Sequence, residues 1–437
     1  MQFINGGVCA AKGFRASGLH VGVKTRNKDK KDLALIVADC DCAAGAVYTR
    51  NIVKAAPILV TQENLTGSRA RIIFANSGNA NACAPNGVEN ARRMCKAAAS
   101  SVASMIAAGD AAEPASESYA DISAKSEREL AAEQGIDEKS VIVASTGVIG
   151  QELPIEVIED GIAGLVSALS YDGSQDAAAA IMTTDLTMKE FAVEFDICGN
   201  TVRIGGIAKG SGMIHPNMGT MLAFLTTDCA ISPEMIQKAL VGATNVSFNR
   251  VSVDGDTSTN DMLTLLASGL AGNSEITDHG SDYDAFCEGL NTLCIELAKM
   301  IAADGEGATH LITCRVHGAK SEDEAEALAK SVISSTLTKA MIFGADANVG
   351  RVLCALGYSG VDFNPNLVSV AFESATGRIL ACENGIGLPF DENTAKTILT
   401  ERDVTIDINM NAGDAECSCW GCDITYDYIR INGDYRS

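Results

Sequence analysis

Two hydrophobic periods alternate along the chain. Short apolar or alternating runs such as Asp32-Leu-Ala-Leu-Ile-Val-Ala38, Arg71-Ile-Ile-Phe-Ala75 and Val141-Ile-Val-Ala144 read as strands. Longer stretches with apolar positions three and four apart predict helices over 88–108, over the Ala-rich segment before Ile181 and over 281–303. Pro154 opens a helix after the strand that ends near Gly150, and Ser232-Pro233 supplies an N-cap and a first helical residue. Phe191–Ile197 and Thr201–Gly205, separated by Cys198-Gly-Asn, predict a hairpin. A strand over 310–316 and a helix over 321–335 form a further unit. The stretch Phe343–Arg351 starts the next helix, with Asp346 as its cap. The last residues, Trp420–Ser437, are aromatic and apolar enough to predict a docked, strand-like tail. The fold class is α/β.

The chain has 437 residues, 47% of them hydrophobic, which suffices for a large core. A formal net charge of −23 argues against nucleic acid and against anionic membranes as partners. No apolar run approaches a membrane span, and the opening residues lack the pattern of a secretory signal. The fifteen cysteines then read as reduced, buried thiols of a cytoplasmic protein. Cys417, Cys419 and Cys422 lack a fourth ligand at a metal-site spacing, and the acidic run Asn249–Asp261 lacks the frame of a calcium loop, so no metal is expected. The polar, acidic segment 109–140 reads as a surface insertion.

The chemistry concentrates near the middle. Lys209-Gly-Ser-Gly-Met-Ile-His-Pro-Asn-Met-Gly219 is a Gly-rich polar loop, and Met221-Leu-Ala-Phe-Leu225 is a buried strand. Gly219-Thr220 between them is either a turn into the core or a scissile bond. Cleavage would leave Thr220 with its hydroxyl and a free amine on one residue, a nucleophile with its own base. His215 is close in sequence, but that amine makes a second base unnecessary. Ser145-Thr146-Gly147 closes a strand; a hydroxyl beside a Gly N–H suits an oxyanion hole as well as a strand-to-helix turn. Lys209 suits a substrate carboxylate or plain solvent. Glu306 between Gly305 and Gly307 suits an ammonium, or is incidental to a helix C-cap. The Asn76–Cys83 cluster reads as a polar turn whose side chains cap their own backbone.

The run Gly212-Met-Ile-His-Pro-Asn-Met-Gly-Thr220-Met-Leu resembles the autoprocessing motif of the ornithine acetyltransferases, the glutamate N-acetyltransferases of arginine biosynthesis. Gly219 stands where that family usually has Ala. Similar matches occur at Ser145-Thr-Gly-Val-Ile-Gly150, Thr183-Thr-Asp185, Asp304-Gly-Glu-Gly307 and the C-terminal end, so the resemblance covers nearly the whole chain. It implies layered sheets flanked by helices, cleaved between Gly219 and Thr220 into pieces 1–219 and 220–437. It further implies Thr220 as nucleophile, Thr146 and Gly147 as oxyanion hole, and Thr183, Lys209, Thr220, Glu306, Asn432 and Ser437 as substrate contacts. The reaction implied is ping-pong transfer of acetyl from N2-acetylornithine to glutamate, with acetyl-CoA left open as a further donor and no cofactor. The pieces would assemble as a heterotetramer of two each. An N-terminal-nucleophile aminopeptidase or amidase, using water as acceptor, is the alternative.

Overall fold

The computed structural model describes residues 1–25, 29–110, 135–215 and 221–434. Two β-sheets with helices packed on them account for these residues. The first sheet runs in the spatial order Gln2–Ile4, Lys189–Ile197, Asn200–Lys209, Leu222–Thr227, Met262–Ala267, Leu33–Tyr48, Arg69–Asn79, Val141–Val148, with Phe14–Leu19 added against Leu33–Tyr48. The second runs Ile386–Gly387, Gly377–Glu383, Ser369–Ser374, Asp403–Asn409, Leu311–Ala319, Ala415–Cys422, Val251–Ser252. The α/β architecture of sheets flanked by helices is therefore as expected.

The strand Leu222–Thr227 shows why the middle of the chain is so apolar. All six of its residues are buried, because helices cover both faces of the sheet and a strand so placed has no solvent side. Side chains alternate between faces. Leu222 and Phe224 enter a core with Ala177, Ile207 and Leu266 beneath the helix Ser174–Ile181. Ala223 and Leu225 enter another with Leu240, Leu293 and Leu297 from the helices Pro233–Val246 and Ser281–Ala303. The second sheet is fully covered on one face, while the helix Ser281–Ala303 covers the other only near Trp420 and Cys422, so Leu311–Ala319 alternates buried and half-buried positions.

Most predicted elements are present. The helices Gly87–Asp110, Ser174–Ile181 and Ser281–Ala303 match their periodicity. Ser232 caps the helix Pro233–Val246 by accepting from Met235 N at 3.4 Å. The hairpin turns through Cys198 and Gly199, both at positive φ.

Three expectations need correction. Asn76-Ser-Gly-Asn79 is not a turn: the strand Arg69–Asn79 runs through it, paired with Ser145–Val148. Its polar side chains are satisfied by neighbouring elements: Ser145 Oγ donates to Asn76 Oδ1 at 2.6 Å, Ser77 Oγ to Ala180 O at 2.5 Å and Asn79 Nδ2 to Glu152 O at 3.0 Å. The expected self-capping is present all the same: Asn76 Nδ2 donates to Asn79 O at 2.9 Å, and Asn79 Oδ1 accepts from Asn81 N at 2.8 Å. Asp346 does not cap a helix. Phe343 ends the helix Thr336–Phe343, and the next, Val349–Gly357, has Asn348 at its N-cap without a side-chain bond. The tail is helical rather than strand-like: Ala415–Cys422 is a strand, but Tyr426–Gly433 is a helix capped by Thr425. Thr425 at the N-cap, Asp427 in the first turn and Arg430 in the last are the helix signals that the aromatic residues obscured. Residues 111–134, the bulk of the predicted insertion, lie outside the described residues.

The register of the first sheet gathers the chemistry at one place. Lys209 ends its strand opposite Leu222, and Leu222 is also level with Met262 in the parallel neighbour. The segments 210–215 and 254–261 therefore approach the start of the strand Leu222–Thr227 from its two sides.

Candidate active site

A cavity of about 280 Å³ opens beside these strand ends. It is lined by Thr146, Gly147, Thr183, Lys209, Glu306 and Asn432, residues far apart in sequence. Of the predicted site residues, the other three, Gly219, Thr220 and Ser437, lie outside the described residues.

Thr146 and Gly147 sit at a β-bulge, where Asn79 pairs with both Thr146 and Val148. Bulges re-aim the local backbone. Gly147 has φ +133°, and a Cβ there would lie 2.3 Å from Gly78 C, so only Gly fits. Thr183 begins a turn held by Asp185: its N–H donates to Asp185 Oδ2 at 2.9 Å. Lys209 is largely buried where its strand ends, and the next residue, Gly210, donates its N–H to Asp185 Oδ1 at 2.8 Å. Burial pushes the Asp185 carboxyl up. The charges of Lys209 and Lys189, with hydrogen bonds from Lys189 and Thr183, outweigh that and hold it below the usual carboxylate range.

Glu306 follows the helix Ser281–Ala303 on a tight turn and is 6% exposed. Its N–H donates to Ser211 O at 3.0 Å, and its Oε2 accepts from Asn432 Nδ2 at 2.6 Å. The carboxylate lies so close to Gly212 that a Cβ there would fall 2.5 Å from Glu306 Cδ. An ammonium and a carboxylate thus face one small space, with an amide at its edge, a complement to a zwitterionic amino acid.

Sequence reasoning missed part of the lining. Asn260 and Ser258 belong to it, from the acidic run weighed above only as a calcium loop. Asn260 Nδ2 donates to Ser145 O at 2.8 Å and to Ala80 O at 2.6 Å, fixing the strand end just before Thr146. Their neighbour Asp261 is fully enclosed, and burial pushes its carboxyl far above the usual range. In the same run, Asp254 accepts from the N–H groups of Met213 and Ile214 at 2.6 and 2.8 Å, which orders the chain after Lys209. The signal available in sequence was position: Asn260 and Asp261 precede a buried strand, as the Gly-Thr pair does. His215, set aside as a base, does not line the cavity; its Nδ1 is 3.0 Å from Ser252 Oγ. Among the described residues no group of three potential ligands is placed to hold a metal, and no helix is long and apolar enough to cross a membrane.

A helix-flanked sheet with one small polar cavity at its strand ends defines an α/β enzyme with a pocket sized for a small charged substrate. Comparison with known proteins narrows the class. The model of the ArgJ family matches residues 15–108 and 104–437. The arginine biosynthesis bifunctional protein ArgJ of Symbiobacterium thermophilum is 44% identical over 438 residues, covering all of both chains. That of Geobacillus kaustophilus is 43% identical, covering 99% of this chain and 97% of its own. A solved ornithine acetyltransferase of Mycobacterium tuberculosis, complexed with ornithine, is 34% identical over 50% of this chain and 98% of its own, with a TM-score of 0.39. The chain belongs to the ArgJ family.

Proposed function

We propose that this protein transfers the acetyl group of N2-acetylornithine to glutamate in arginine biosynthesis, through an ester on Thr220. The observation that carries the reading is the convergence of Thr146, Gly147, Thr183, Lys209, Glu306 and Asn432 on one cavity, beside the ends of the strands between which Gly219 and Thr220 fall in sequence.

The steps follow from the groups available. In the intact chain the Thr220 hydroxyl adds to the Gly219 carbonyl, the C–N bond breaks, and the amine takes the hydroxyl proton. Water then opens the ester, leaving a carboxylate on Gly219 and a free Thr220. In the mature enzyme the α-amine of Thr220 accepts the hydroxyl proton as the oxygen attacks the acetyl carbon. An α-amine with a pKa of about 8 is partly neutral near pH 7 and suited to this exchange. Thr146 and Gly147 stabilise the oxyanion. The proton passes to the departing α-amine, and ornithine leaves. Glutamate enters, its α-amine attacks the acetyl ester, and N-acetylglutamate leaves with the Thr220 hydroxyl restored. Lys209 holds the substrate carboxylate, while Glu306, braced by Asn432, holds the ornithine ammonium. Thr183 and Ser437 complete the substrate contacts.

The same reading has two of each piece in a cytoplasmic heterotetramer and no cofactor, and leaves acetyl-CoA open as a further acetyl donor. Denaturing mass spectrometry and product analysis test its core. The wild type should show two pieces, the second starting at Thr220, and should form N-acetylglutamate in proportion to ornithine. Thr220→Ala should remain one uncut chain without transfer. Two pieces from that variant would remove Thr220 as nucleophile, and acetate without N-acetylglutamate would favour the amidase alternative.

A further inference from the structure

Three ionised groups lie buried behind the cavity and outside its lining. Lys189 is 0% exposed, Asp185 2% and Asp304 6%. Lys189 Nζ donates to Asp185 Oδ1 at 2.7 Å, to Asp304 Oδ2 at 2.6 Å and to Thr187 O at 3.3 Å, which uses all three of its protons. Each carboxylate also receives backbone N–H groups. Asp185 takes those of Thr183 and Gly210, at 2.9 and 2.8 Å. Asp304 takes those of Leu186 and Thr187, at 3.1 and 3.3 Å. The Asp304 carbonyl accepts from Ser211 Oγ at 2.6 Å, and Ser211 O in turn accepts from Glu306 N at 3.0 Å.

We infer that Lys189, Asp185 and Asp304 are positioning residues for the acetyl-transfer site, setting the mutual placement of Thr183, Lys209 and Glu306 through the backbone. The inference rests on the proposed function above. Every hydrogen bond of the cluster ends on, or one bond away from, a segment carrying one of those residues. Stability is a poor explanation for the cluster. A buried ion pair seldom outperforms apolar side chains of the same volume, because desolvation offsets the attraction. Apolar side chains would fill the space, but they would not aim four backbone N–H groups. The cluster also spans the proposed cut: Asp185 and Lys189 precede Gly219, and Asp304 follows Thr220. One ammonium therefore fixes substrate-facing segments of both pieces against each other.

Asp185→Asn tests this. The change keeps the volume and the charge of Lys189, but turns one acceptor oxygen into a donor that cannot take an N–H. Ornithine affinity by calorimetry and KM for N2-acetylornithine should both weaken by about tenfold or more, since small displacements of binding groups are costly. The kcat per processed chain should change far less. A cluster that only stabilised the fold would lower the amount of folded, processed enzyme and leave Kd and KM alone. Asp304→Asn is the second variant, should the first fail to fold, and should raise both constants in the same way through Glu306. Kd and KM within about twofold of wild type in the folded variants, a change too small for a displaced binding group, would overturn the positioning role. Failure of the wild type itself to bind ornithine or transfer acetyl would instead overturn the functional reading.

Discussion

Gly212 is where a single methyl group separates the site from the scaffold. A Cβ there would lie 2.5 Å from Glu306 Cδ and Oε2 and 2.6 Å from Oε1, the end of a side chain that can swing away. The Gly212 backbone is not among the positive-φ positions, so Ala adds no backbone strain. Gly212→Ala should leave stability within about 1 kcal/mol of wild type, because the freedom lost by the unfolded chain offsets the local adjustment. It should also displace the carboxylate from Asn432 and raise KM for N2-acetylornithine by about tenfold. Thermal melts and steady-state kinetics check the two halves, and an unchanged KM would remove Glu306 from substrate binding. At this scale the sequence was readable where a residue type carries its own chemistry. Thr146-Gly147, Lys209 and Glu306 suggested chemistry by themselves, Thr183 and Asn432 entered only through the family resemblance, and all six line the cavity. Asn260 was marked only by its position before a buried strand, and Lys189 by nothing. Asn260 acts by donating to carbonyls at Ala80 and Ser145, and Lys189 by donating to Asp304, 115 residues away. No local pattern announces a partner that only the fold supplies.

Elements with one dominant signal were legible, and elements with two competing signals were not. The helix Ser281–Ala303 has unbroken periodicity and was placed to the residue. The tail carried aromatic residues that suit a strand and capping residues that suit a helix, and the caps prevailed. That helix has no buried residue of its own, so it depends on what ties down its ends. Thr425 Oγ1 donates to Gly307 O at 2.8 Å, and Asp423 just before it accepts from Thr309 N and His310 N at 2.8 and 3.0 Å. Asp423 also accepts from Thr309 Oγ1 at 2.5 Å and lies 3.0 Å from His310 Nδ1. Burial pushes the Asp423 carboxyl up, but the bonds from His310 and Thr309 outweigh it and hold the group below the usual carboxylate range. A carboxyl with a depressed folded-state pKa stabilises the fold above its unfolded value, about 3.9, and that contribution fades as pH falls through the folded value. Asp423→Asn should therefore cost about 1–3 kcal/mol in urea unfolding at pH 7. The gap from wild type should narrow below about pH 4. A gap that stays constant with pH would mean that shape, not charge, holds the junction.

The two pieces implied by a cut at 219 are interleaved in the whole molecule rather than adjacent. In the first sheet Leu222–Thr227 and Met262–Ala267 are paired with each other, and each has a strand of the first piece on its other side. Leu222–Thr227 pairs with Ile204–Lys209, and Met262–Ala267 pairs with Ala43–Tyr48. Separating the pieces would expose unpaired backbone on both sides of this strand pair and apolar faces that no solvent-facing residues relieve. The buried contact of Lys189 with Asp304 would be broken as well, leaving Asp304 without its charged partner while Lys189 keeps Asp185. Cleavage should thus remove one covalent bond and leave the sheet intact. Processed protein should elute from native size exclusion as one species containing both pieces, and the pieces should separate only in denaturant. Expressed apart, 1–219 and 220–437 should each be insoluble or unfolded, because neither holds a complete first sheet. Circular dichroism of the separate pieces, alone and after mixing, checks this. A folded 220–437 on its own would mean that the second sheet and its helices carry the piece, and that the shared first sheet is not what keeps the two together.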